Sequence, residues 1–109
     1  MRILFGDKAC EDLCSDERLQ QRKLGAKGAR KLRTRLGDLG AAARVTDLPA
    51  GRPHPLQGPP RHRFAVDLDG GRRLVFVPAD DPPPFKPDGS VDWSQVTSIR
   101  IVFIGDYHD

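Results

Sequence analysis

The first half of the chain carries its apolar residues at helical spacing, and the second half carries them in alternation. A short apolar run, Arg2-Ile3-Leu4-Phe5, reads as an opening strand. Asp7 can cap the helix that follows, whose apolar positions are Cys10, Leu13 and Cys14, with Leu24 further on. Ser15-Asp16 offers a second cap, so the stretch reads either as one helix or as two pieces. Gly25 punctuates the chain. Beyond it Ala29, Leu32, Leu36 and Leu39 recur at helical spacing, with Arg and Lys on the other face, and Gly40 suits a stop near Leu39. The two helices should form a basic hairpin with one apolar face.

Residues 46–60 hold five prolines and two glycines, which is loop chemistry, with Val45 and Leu48 as its anchors. Residues 63–68 then alternate, with Phe64, Val66 and Leu68 on one face. Asp69-Gly70-Gly71 signals a turn, and residues 73–77 return as the partner strand of an antiparallel hairpin. Residues 78–96, rich in Pro and Asp, form a long excursion from which Trp93 packs back. Residues 98–104 are strongly apolar and β-branched, which suits a central strand. That strand delivers Gly105-Asp106-Tyr107-His108-Asp109. Helices grouped before strands predict an α+β fold: two N-terminal helices on one side of a small, mainly antiparallel sheet of about four strands.

At 109 residues, the chain has the length of one domain, 1–109, with the excursion inside it. Its formal charge is only +3, but the charge is unevenly placed. Between Glu17 and Arg44 nine basic residues face two acidic ones, whereas from Ala79 onward six Asp face Lys86 and Arg100. A basic segment suits a polyanion or an acidic protein partner, and equally a solvated helix surface. Cys10 and Cys14, four apart, share a helix face and read as small buried apolar groups. With no His nearby they make a poor zinc site, so neither a metal nor any other cofactor is expected. Two cysteines without a disulfide framework fit a reducing cytoplasm. The absence of an apolar leader or membrane-length run leads to the same expectation: a bacterial cytoplasmic protein with no membrane partner.

Four local features, in order, resemble the HigB-like (plasmid maintenance killer) branch of the RelE/ParE toxin superfamily. They are the basic helix Gly25-Ala26-Lys27-Gly28-Ala29-Arg30-Lys31-Leu32-Arg33; the turn His54-Pro55-Leu56-Gln57-Gly58; the hairpin 64–76, with Arg73-Leu74-Val75-Phe76 in its second strand; and the ending Asp106-Tyr107-His108 after an apolar strand. The similarity spans nearly the whole chain. In place of the family's Asp-Arg-Lys-Gly-Gln-like stretch after the turn, this chain has Pro59-Pro60-Arg61-His62-Arg63, which keeps the basic character but stiffens the loop.

The resemblance implies a RelE-like fold and the toxin of a type II toxin–antitoxin system: a metal-independent endoribonuclease that cuts messenger RNA on the ribosome. Its chemistry is attack of the RNA's own 2′-hydroxyl on the adjacent phosphate. That needs a base, a cation for the charged phosphorane-like state, and an acid for the leaving 5′-oxygen. His108 carries an imidazole, whose ordinary pKa of about 6.5 lets it give or take a proton at neutral pH. Tyr107 can stack on a base or donate a proton, Asp106 can orient a neighbour, and the planar fork of Arg73 can clamp the phosphate. Arg61, His62, Arg63 and His54, with Lys27, Arg30 and Lys31 on the basic helix, are the candidate RNA and phosphate binders, and His62 or His54 can be a second acid or base. Consecutive strand residues point to opposite sides, so Tyr107 cannot share a face with both neighbours in regular strand geometry.

Two other readings of the same fold remain open: a ParE-like inhibitor of DNA gyrase that acts by binding, and a non-catalytic antitoxin-binding domain. Every toxin reading implies a cognate antitoxin, expected as a neighbouring helix-turn-helix protein that docks on the helical hairpin or the sheet edge. The cutting reading adds messenger RNA on the ribosome as a partner.

Overall fold

The computed structural model describes residues 1–106. The chain runs β1 (Arg2–Phe5), α1 (Lys8–Ser15), α2 (Glu17–Ala41), β2 (His54–Pro55), β3 (Phe64–Asp67), β4 (Arg72–Pro78) and β5 (Ser98–Asp106), with 3-10 turns at Val45–Asp47 and Trp93–Gln95. The strands form one sheet in the order β1-β5-β4-β3-β2. β1 lies parallel to β5, and the other three pairings are antiparallel. The sheet thus has five strands where the apolar pattern suggested about four. The extra one is β2, two residues inside the proline-rich loop, too short to show a period. Pro55 has no amide hydrogen to give a ladder, and β2 accordingly takes an edge position.

The helical stretch is broken where its caps lie. Asp7 accepts from the Cys10 amide at 2.8 Å, and Asp16 accepts from the amides of Arg18 and Leu19 at 2.9 and 3.2 Å. Asp16 therefore opens a second helix, and Ser15-Asp16 divides the stretch. Gly25 then adopts φ 75° and ψ 173°, outside the helical region. Arg33 Nη1 donates to Gln20 Oε1 at 3.2 Å, thirteen residues away. In an unbroken helix those residues would lie about 20 Å apart, so the chain folds back at Gly25 and forms the expected hairpin. Gly40 does not end the second arm. The helix continues to Ala41, and the Met1 α-amino group donates to the carbonyls of Leu39, Gly40 and Ala42, which a helix C-terminus otherwise leaves unpaired.

Leu24, Leu32 and Leu39 from the hairpin meet Phe64, Val66, Leu74, Phe76, Ile99 and Ile101 on one face of the sheet. Trp93 packs back as expected, its ring 4.9 Å from that of Phe64 and edge-on to Phe76 at 6.3 Å. The opposite face has only a small apolar group, Leu56, Ala65 and Val75 beside Val102. Register between β4 and β5 shifts between Val75 and Phe76: Val75 lies opposite Phe103, but Phe76 lies opposite Ile101. Val102 is the extra residue of a bulge. Ile101 and Ile104, three apart, both reach the helix-side core, while Phe103 turns to the other face and stays 37% exposed.

Candidate functional site

Alternation along the strands sends different side chains to the two faces. Arg72 shares the helix side with Leu74 and Phe76, and its Nη1 donates to the Leu24 carbonyl at 2.8 Å. Arg73 turns to the face without helices. There Asp67, its register partner on β3, holds Arg73 Nε at 3.6 Å and Arg52 Nε at 2.7 Å. Two guanidinium groups thus share one carboxylate, and the trio keeps a net positive charge. The hydrogen bond that Arg52 donates to Asp67 raises the Arg52 pKa above its usual value. Opposite Arg73 on β5 is Gly105, which offers no side chain, and the Phe103 ring folds over it.

His54 joins this face. Its register partner is Ala65, which lies level with Val75 of β4. His54 and Arg73 therefore flank β3 on the same side, two residues out of step. From strand spacing and rise their Cα atoms are about 12 Å apart. His54 Nδ1 meets the Arg52 carbonyl at 2.7 Å. A carbonyl only accepts, so Nδ1 carries the proton, and the Nε2 lone pair points away from the loop.

The other sequence candidates separate. Arg61 and His62 line a cleft that continues from Pro55 and Leu56. Arg63 beside them is 6% exposed, and its guanidinium donates to the carbonyls of Gln57, Gly58 and Pro60. It thereby braces the loop that carries its neighbours. Lys27, Arg30 and Lys31 lie on the helical hairpin, across the sheet from Arg73. Asp106 is exposed and pairs in register with Arg72, not with Arg73. Tyr107 and His108 lie outside the described residues. No group of three or more His, Cys, Asp or Glu able to hold a metal occurs among the described residues.

Sequence reasoning did not single out Arg52 or Phe103. Arg52 sits in the proline-rich loop with φ 47°, and nothing in its neighbourhood marks it. Phe103 reads by alternation as a core residue, and only the bulge exposes it.

No protein-family model and no curated protein matches the chain. Solved structures do. The YoeB–YefM complex from Staphylococcus aureus contains a chain that matches at a TM-score of 0.59 and 18% identity, covering 100% of this chain and 98% of that one. The YoeB dimer from the same organism matches at 0.59 and 19% identity with the same coverage. The α+β fold, two helices on a five-stranded mixed sheet, is the RelE-like fold of YoeB.

Proposed function

We propose that this chain is the toxin of a type II toxin–antitoxin pair and that it cuts messenger RNA on the ribosome without a metal. The observation that carries the reading is the helix-free face of the sheet, where Arg73 and His54 flank β3 with the same exposure side, on a fold shared end to end with a toxin of the RelE/ParE superfamily. Fold alone does not assign chemistry; the side chains on that face supply the reason to expect it. The ending Asp106-Tyr107-His108 favours the HigB-like branch.

In the proposed reaction a base removes the proton of the RNA 2′-hydroxyl. The 2′-oxygen attacks the adjacent phosphorus, and the bond to the 5′-oxygen breaks as that oxygen gains a proton from an acid. The products are a 2′,3′-cyclic phosphate and a 5′-hydroxyl. Arg73 stabilises the charge on the equatorial oxygens, where a planar fork acts best. His54, with Nδ1 tied to the loop, presents Nε2 as one proton carrier, and His108 is the other. Tyr107 stacks on a base or donates a proton, and Asp106 orients a neighbouring group. The basic outer surface of the hairpin, with Lys27, Arg30 and Lys31, suits the phosphate backbone of ribosomal RNA. A neighbouring antitoxin is the expected protein partner, as YoeB is found with YefM. No helix among the described residues is long and apolar enough to cross a membrane.

The test is growth arrest on induction, with message 5′-ends mapped in the same cultures, for wild type and for Arg73→Ala, His54→Ala and His108→Ala. Arrest with new 5′-ends that the variants lose is the expected result. Arrest without new ends would move the target away from RNA, and no arrest with a folded, expressed protein would remove the toxin reading.

A further inference from the structure

Between the loop leading into β3 and the tip of the excursion lies a half-open cleft of about 550 Å³, a volume within the range of small-ligand sites. Arg61 and His62 form one wall, and Lys86 and Trp93 form the other, over the buried side chains of Leu56 and Val91. Both walls are held by their own hydrogen bonds. Arg63 braces the first through three carbonyls. The second is a closed tip, in which Lys86 N donates to Ser90 O at 2.8 Å, Gly89 N to Lys86 O at 2.9 Å and Asp92 N to Pro84 O at 2.8 Å. Phe85, 49% exposed, lies across the walls with its ring 5.3 Å from that of His62.

The cations of this cleft outnumber its one carboxylate. That carboxylate, Asp88, accepts from the Ser90 hydroxyl at 2.6 Å and the Ser90 amide at 2.9 Å, and these bonds hold its pKa below the usual range. The basic groups of Arg61 and Lys86 are exposed on opposite walls. Flat rings between separated cations match the chemistry of a nucleotide, a base with a π-face between two phosphates. The acidic side chains of a protein partner would satisfy the cations but add no π-face to the rings. Pro55 and Leu56, which follow His54 in the chain, line the same cleft.

We propose that this cleft is a subsite for one nucleotide of single-stranded RNA beside the one that is cut, its base against Trp93 and His62 and its phosphates against Arg61 and Lys86. The proposal rests on the RNA-cutting reading above but fails separately from it.

Trp93 is the sole tryptophan of the chain, so its emission reports occupancy of the cleft directly. The probe is a short single-stranded RNA with every 2′-hydroxyl methylated, which cannot be cut by 2′-attack. The expected result is saturable quenching of Trp93 in the full chain. Arg61→Glu with Lys86→Glu should weaken binding about ten-fold or more and lower the slope of log affinity against log salt by about 1.4, as expected for two lost phosphate contacts on a single strand. Arg2→Glu with Lys8→Glu, the same charge change on exposed residues outside both the cleft and the hairpin, should leave the quenching curve in place. Absence of binding, binding without a change in Trp93 emission, or full affinity in the cleft variant would each overturn the proposal. So would a cleft variant that loses the antitoxin while keeping the oligonucleotide. Quenching by an unmethylated RNA that is never cut, even on ribosomes, would leave the subsite standing and remove the nuclease reading.

Discussion

Arg72 donates to the carbonyl of Leu24 across forty-eight residues of chain, at 2.8 Å, while its neighbour Arg73 points the opposite way to Asp67. The Leu24 carbonyl lies just before the fold-back at Gly25, so this bond fastens the apex of the helical hairpin to the turn between β3 and β4. The Asp69 Oδ1 atom, 3.7 Å from the same guanidinium, is buried there as well. Two consecutive arginines thus have separate roles set by strand alternation.

The first prediction separates them. Arg72→Ala should destabilise the protein by about 2–3 kcal/mol, because the partly buried Leu24 carbonyl loses its donor and the buried Asp69 loses its ion-pair partner. Arg73→Ala should cost only about 1 kcal/mol, because Asp67 keeps its ion pair with Arg52, but abolish RNA cutting. Urea unfolding of both variants beside the cleavage assay checks this. Equal loss of stability in the two would contradict the division.

Glycines along the second helix should respond with opposite signs. Gly37 and Gly40 have open space where a Cβ would stand, so alanine there should stabilise by up to about 1 kcal/mol through helix propensity. At Gly28 a Cβ would lie 2.8 Å from both Arg72 Nη1 and Leu24 Cβ. Gly28→Ala should therefore destabilise by about 1–3 kcal/mol, as overpacking does, despite the same propensity gain. Gly25→Ala meets no atom but must hold φ 75° with ψ 173°, at about 1–3 kcal/mol. Thermal unfolding of the four variants gives the order, and a stabilised Gly28→Ala would show that the hairpin does not pack as described.

Burial raises the Cys10 thiol to about 11 and the Cys14 thiol to about 12, from an ordinary 9.0. Both should stay protonated at neutral pH and react slowly with iodoacetamide until the protein unfolds. The raised folded-state values also set a pH dependence. Their contribution to stability is complete below about pH 9, where the unfolded thiols are protonated, and is lost as the pH climbs toward 11–12. Cys10→Ala with Cys14→Ala should flatten the alkaline decline, measured as urea midpoint from pH 8 to 11. An unchanged decline would place its origin elsewhere.

The bond from His54 Nδ1 to the Arg52 carbonyl predicts a single neutral tautomer, with the proton on Nδ1. Nitrogen-15 imidazole spectra above the titration range should show Nε2 as the unprotonated nitrogen. A dominant Nε2–H form would show that the Arg52 carbonyl does not fix the ring.

Much of the architecture was legible in the residues. Asp7 and Asp16 cap where short acidic side chains precede helical periodicity, and Gly25 breaks the helix because its backbone alone reaches φ 75° without strain. The pair Gly70-Gly71, φ 60° and 81°, closes the β3–β4 turn as the dipeptide suggested, since both central residues of that turn type need positive φ. These features are local, decided within a few residues, and they predicted helices before strands on an α+β fold.

What tertiary structure alone decided is long-range. Phe103 alternates with Ile99 and Ile101, and by period it belongs in the core. A one-residue bulge at Val102, set by how β5 pairs with β4, exchanges it for Ile104. Arg63 belongs by composition with the basic loop, yet its guanidinium turns inward because carbonyls of a tight proline-rich loop require a donor and no regular ladder supplies one. The same holds for the face shared by His54 and Arg73. Residues nineteen apart in sequence are set on one face, either side of β3, by the register of β2, β3 and β4. Composition and periodicity fix which residues each element contains, but which of them meet depends on pairing between strands, and that is settled only when the sheet closes its core.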